Sequence, residues 1–147
     1  MKVTEGKIGR VFIIRLEEGE RVPDCIEEFA IQNNISIAHV AMLGTLMDGE
    51  IIVGPRKTSQ HPPEPMHLPV YEAHETIATG LIAPDKDGKP LLHIHGSLGR
   101  AGNTMTGCLR NGISSWVCCE LIIYEILGAN AKRLYDENTG FTLLNLD

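Results

Sequence analysis

Two histidines, His93 and His95, stand two residues apart in the run Leu91-Leu92-His93-Ile94-His95-Gly96-Ser97-Leu98. Side chains alternate between the faces of an extended strand, so both imidazoles leave the same side, about 7 Å apart at the backbone. Two such rings can converge on one ion with ligand bonds of about 2 Å. Leu92, Ile94 and Leu98 take the opposite face and bury it, and Gly96 leaves the strand open beside the rings. Cys108 follows thirteen residues after His95, beyond a turn that contains Gly99 and Gly102. If that hairpin pairs antiparallel, the thiol returns beside the two rings. A thiolate with two imidazoles suits Zn²⁺, a borderline-soft ion, and leaves a fourth position for water, a substrate or another side chain. Two readings compete with a metal centre. A histidine pair on a strand face also serves as a polar or proton-sensitive patch, and Cys108 alone reads as a small buried apolar residue.

The elements that must position these groups are mostly strands. Ile8, Phe12, Ile14 and Leu16 share one face of a first strand that Arg10 interrupts. Pro23 suits the first turn of a helix, and Val22, Ile26, Phe29 and Ala30 follow at helical spacing with Glu27 and Glu28 outward. Asn33-Asn34 is a left-handed stop. Ile35 to Leu46 alternates as a strand, and Ile51 to Val53 follows the Asp48-Gly49 turn signal. Gly54 to Pro69 holds five of the eight prolines and reads as an irregular loop. Val70 to Ala83, Leu91 to Leu98, Met105 to Leu109 and Trp116 to Leu127 read as further strands. Asp85-Lys86-Asp87-Gly88 marks a turn between two of them, and Phe141 to Leu146 is expected to close the sheet. The order predicts an α+β fold, a predominantly antiparallel β-sheet with one main N-terminal helix, filling residues 1–147 as a single domain.

The whole-chain numbers narrow the function classes. Of 147 residues, 43% are apolar and 22% charged, which suffices for one core. Thirteen basic against nineteen acidic side chains leave a net charge of −6, a poor footprint for a phosphate backbone. No run is long and apolar enough to cross a bilayer, and the N-terminus lacks the apolar centre of a secretion signal, so the expectation is a cytoplasmic protein. Cys25, Cys108, Cys118 and Cys119 do not space as a secreted disulfide framework, and reduced thiols are expected.

His-x-His after a glycine also opens the cupin pattern, which needs a Glu a few residues later. Gly96, Ser97, Leu98, Gly99 and Arg100 stand there instead. The run Gly88-Lys89-Pro90-Leu91-Leu92-His93-Ile94-His95, the glycine turn, then Thr106-Gly107-Cys108, resembles the plant and prokaryote conserved (PPC) domain, also called DUF296. That domain reads His-x-His, a strand and turn, then Gly-Gly-His, so Cys108 takes the place of the third histidine. Gly9 to Leu16 with the helix, Ile37-Ala38-His39-Val40 to Gly44-Thr45, Tyr71-Glu72 and Cys119-Glu120 resemble other segments of it in order. The resemblance implies an α+β fold, a homotrimer, and a triad that holds a metal, commonly zinc, at His93, His95 and Cys108. In plants the domain follows an AT-hook with an Arg-Gly-Arg-Pro core, which this sequence lacks.

Other polar residues have plainer readings. His39 is expected as a hydrogen-bonded core residue, with lining a pocket as its second reading. His74 shares a face with Glu72 and Thr76, expected as a solvated strand face rather than a pair that orients a ligand. His61 and His67 lie in the proline-rich loop. Glu120, if buried, needs a partner, and orienting a ligand histidine is one option. Ser97 and Arg100 flank the site and could meet an anion. No nucleophile–base pair, phosphate loop or dinucleotide fingerprint occurs. Three functions follow in rank order: a trimeric zinc-binding module with a binding or regulatory role, a small zinc-dependent hydrolase or lyase using metal-bound water, and a DNA-associated protein.

Overall fold

The computed structural model describes residues 1–146. Its elements are β1 (Lys7–Leu16), β2 (Arg21–Val22), α1 (Asp24–Gln32), β3 (Ala38–Pro55), β4 (Pro65–Val70), β5 (His74–Pro84), β6 (Pro90–Arg100), β7 (Asn103–Cys108), β8 (Ile113–Leu127), β9 (Lys132–Asp136) and β10 (Phe141–Asn145). The main sheet runs β1-β8-β3-β5-β6-β7, with β2 beside β8 and β4 beside β3, and every pairing is antiparallel. The expected α+β class with a single helix is what the fold shows among the described residues.

One face of the sheet is the core. Val40 and Met42 of β3 lie beside Ile82 of β5, Leu92, Ile94 and Leu98 of β6, and Leu121 and Ile123 of β8, all buried. Helix α1 covers this face with Ile26 and Ala30, and Phe29 meets Phe12 edge to face at 5.2 Å. Pro23 stands just before the helix rather than inside its first turn, and Asn34 takes the left-handed conformation expected of the stop (φ 55°). Glu27 does not point outward. Its carboxylate accepts the Leu92 backbone N–H at 2.8 Å, which satisfies a donor of β6 one residue before His93.

Strand β3 is longer than its sequence suggests. Asp48-Gly49 makes no turn: Asp48 sits at φ 49° and the strand bends on through it. The first half of β3 lies between β8 and β5, and the second half pairs with β4. Beyond the bend, Ile52 also pairs with Cys108 of β7, so β3, β5, β6 and β7 close on one another. The proline-rich stretch expected to be irregular therefore ends in a strand. Pro65 and Pro69 fit there because β4 is an edge strand, where a missing N–H is tolerated. Phe141 to Leu146 does not close the main sheet, since β10 pairs with β9 in a separate two-stranded hairpin. That partner strand carries no strong alternation in sequence.

The four cysteines form no disulfide. Cys118 is exposed and its neighbour Cys119 is buried, as opposite strand faces require. Burial pushes the Cys25 thiol up to about 12 and the Cys119 thiol up to about 11, so both stay protonated and unreactive.

Candidate metal centre

The β6–β7 hairpin turns on Ala101 and Gly102, both with positive φ (50° and 80°), the geometry of a tight two-residue turn whose twist suits the flanking strands. Gly99 stays within β6. The register that this turn sets pairs Arg100 with Asn103 and, five rungs on, His95 with Cys108. The ligand atoms of His93, His95 and Cys108 lie within 4.8 Å of one another; the two histidines reach the surface with the His93 ring partly withdrawn from water, and Cys108 is buried. The imidazole Nε2 atoms are 3.0 Å apart and the rings meet edge to face at 4.9 Å.

This donor set fits a transition ion. Tetrahedral nitrogens about 2.05 Å from zinc stand about 3.3 Å apart, so the rings need to open by only a few tenths of an ångström. Without an ion, two nitrogens at 3.0 Å are compatible only when one proton is shared between them in an N–H···N bond. Burial, then the charges of Arg133, His95 and Arg110, push His93 down to about 4. Its ring is thus neutral at physiological pH, the form a ligand requires. A bound Zn²⁺ would supply Lewis acidity and one open coordination position.

Two glycines shape the site in ways that differ from expectation. Gly96 faces the core, not the rings. A Cβ there would meet Leu109 Cδ1 at 3.2 Å, so the glycine makes room for that core leucine. Gly107 permits the strand closure. A Cβ there would meet the Ile52 carbonyl oxygen at 2.5 Å, so only glycine lets β7 approach β3 and carry Cys108 to its place.

The outer sheet face runs in register from the far edge to this centre: Ile13, Ile122, Ala41, Thr79, His95, Cys108, Ile52 and His67 are successive cross-strand neighbours. His39 lies on this face and not in the core; it is exposed, bonded to Thr79 Oγ1 at 2.9 Å and stacked on Tyr124. His67 is one rung beyond Ile52, where it bonds the Glu50 carboxylate at 2.9 Å beside Asn111. His74 is buried, not solvated, and its Nδ1 bonds the Glu72 carbonyl oxygen. Glu120 is exposed opposite Arg15 and Leu43, on β8, three strands across the sheet from the β6 histidines. Ser97 bonds Thr106, and Arg100 donates to the Ala73 carbonyl oxygen. His61 approaches the Thr139 carbonyl oxygen at 3.4 Å. Sequence reasoning missed Arg110 and Arg133. Arg110 is two residues past Cys108 and was open to suspicion on that ground; Arg133 comes from the unanticipated β9 and carried no local signal.

A model of the Plants and Prokaryotes Conserved (PCC) domain matches residues 3–127. The chain belongs to the PCC domain family. Solved structures agree in fold. The metal-containing protein AF0104 of Archaeoglobus fulgidus is 29% identical, with 99% of each chain covered and a TM-score of 0.85. A PPC protein of Pyrococcus horikoshii is 24% identical over 99% of this chain and 97% of that one, with a TM-score of 0.84. A candidate DNA-binding protein of Ralstonia eutropha is 21% identical over 92% and 90%, at 0.70. No curated protein matches this chain. The PCC match ends at the last residue of β8, so the β9–β10 hairpin with Arg133 lies outside it. Among the described residues, no helix of this PCC protein is long and apolar enough to cross a membrane.

Proposed function

We propose that this PCC protein is a one-domain, homotrimeric, zinc-binding module of the cytoplasm, with His93, His95 and Cys108 as its metal ligands. The observation that carries the reading is the convergence of three ligand atoms of compatible softness within 4.8 Å, on strands whose register fixes them. Among the described residues no carboxylate joins the cluster, which leaves no evident general base and favours a binding role over a hydrolase or lyase. The net charge of −6 argues against duplex DNA as the partner. Self-assembly has its own support. Ile13 (83% exposed), Ile77 (76%) and Leu43 (56%) lie on the outer sheet face, a concentration of apolar surface that an isolated subunit leaves in water.

Metal analysis of the purified protein tests the centre. Stoichiometric zinc in the wild type, lost in His93→Ala and Cys108→Ala, is the expected result. Full zinc retained in both variants refutes the ligand assignment. Duplex DNA binding that weakens steeply with salt would overturn the exclusion of nucleic acid.

A further inference from the structure

We infer that Arg133 and Arg110 make this centre an oxyanion site, in which the phosphate or carboxylate group of a small molecule takes the open coordination position. The inference rests on the metal reading above and adds the chemical class of the ligand. Arg133 is 7% exposed, yet among the described residues no carboxylate forms an ion pair with it or with Arg110. A guanidinium withdrawn from water needs a compensating charge.

The position of Arg133 is fixed by the sheet. Its Nη2 donates to the Leu81 carbonyl oxygen at 2.8 Å and its Nε reaches the Leu91 carbonyl oxygen at 3.4 Å. Leu81 is the cross-strand partner of His93, and Leu91 is two residues before it. The guanidinium therefore stands at the histidine end of the centre with N–H donors left over. Arg110 stands at the cysteine end, two residues past Cys108. The Leu109 N–H donates to the Ile94 carbonyl oxygen at 3.0 Å, which carries the β6–β7 register one step past the His95–Cys108 rung and leaves Arg110 alongside the His93 end of β6.

A divalent ion with one thiolate and two neutral imidazoles keeps one net positive charge, and the guanidiniums add two more. The cluster holds no acidic side chain to offset them. An oxyanion bound to the ion answers this excess, and the planar guanidinium fork matches the oxygens of carboxylate or phosphate. A purely architectural Arg133, tying β5 and β6 to the β9–β10 hairpin, would explain its two carbonyl contacts. It would not explain a second cation placed two residues past Cys108, just beyond the end of β7.

The test uses the full chain loaded with Co²⁺, whose visible bands report coordination. Metal content is measured first, then inorganic phosphate, acetate and chloride are titrated separately. The expected result is a saturable spectral change with phosphate or acetate and none with chloride. In Arg110→Ala, an exposed side chain whose loss spares the core, the apparent Kd rises about tenfold or more at unchanged metal content. Arg133→Lys, which keeps the charge and loses the fork, shows the same direction. Metal-loaded protein that ignores both oxyanions, responds equally to chloride, or binds them equally well in both variants overturns the inference. A protein that takes up no metal overturns the metal reading instead. Calorimetric titration of phosphate into that metal-free protein then decides the arginine pair: binding weakened in Arg110→Ala sustains it, and no binding refutes it.

Discussion

Gly107→Ala tests the site without touching a ligand. The added Cβ would stand 2.5 Å from the Ile52 carbonyl oxygen, 3.1 Å from its carbon and 3.3 Å from Ile51 Cδ1. Two of these three atoms are backbone, so no side-chain rotation relieves the clash. An ordinary C···O contact needs about 3.3 Å, so β7 and β3 must part by about 0.8 Å, an overpacking cost of about 1–3 kcal/mol. Cys108 is the next residue and the one that pairs with Ile52, so its sulfur moves by a similar amount. Metal–ligand distances tolerate only about 0.2 Å, so zinc affinity is expected to fall about tenfold or more, alongside a Tm lowered by several degrees. Chelator competition measures the first and thermal unfolding of the metal-free protein the second. Gly99→Ala is the control, since a Cβ there meets nothing closer than 3.7 Å and the backbone needs no left-handed conformation. Wild-type zinc affinity in Gly107→Ala would refute the claim that this close approach sets the sulfur position.

Three further outcomes follow from other parts of the fold. Leu43→Asp combined with Ile77→Asp places two charges on the outer face and is expected to convert the proposed trimer to a monomer by light scattering; a trimeric mass in the variant would show that this face is not the interface. Arg10 holds the Glu125 carboxyl below its usual range by donating from Nε and Nη2, at 2.8 and 2.6 Å, so the contribution to stability exists above the unfolded-state value and disappears as pH falls. Glu125→Ala is expected to lower Tm by about 2–4 °C at pH 7 and to converge on the wild type in acid, and a constant offset would count against the pairing. In metal-free protein, His93 at about 4 against an ordinary value of 6.5 means that the unfolded chain binds the extra proton between those limits. Wild-type stability should therefore decline from pH 6.5 towards 4, and His93→Gln should flatten that slope in denaturant titrations at several pH values.

The parts of the site that depend on strand parity and hairpin register were readable in sequence. His93 and His95 face one way and Leu92, Ile94 and Leu98 the other because the side-chain period is two. The return of Cys108 followed from a short turn between two strands. What depends on contacts between distant segments was not readable. Asp48-Gly49 carries a turn signal, but hydrogen bonds to β4 and β8 on either side carry β3 through it. Pro65 and Pro69 argue against a strand unless its outer edge is known to be free. His74 looked solvated because its alternation places it beside polar Thr76, yet the sheet buries both. Arg133 reaches the Leu81 and Leu91 carbonyls from a hairpin that only the tertiary fold brings there, as Glu27 reaches Leu92 from the helix.

The pairing of Ile52 with Cys108 gives the centre a mechanical meaning. It is the single rung joining β7 to β3, and thus the seam at which the strand ring shuts. An ion held there by Cys108 and the β6 histidines would act as a rivet across that seam, so occupancy and closure would be two descriptions of one equilibrium. Stripping the ion should then accelerate amide hydrogen exchange along β7 and the second half of β3, while the β1–β8 side keeps its protection.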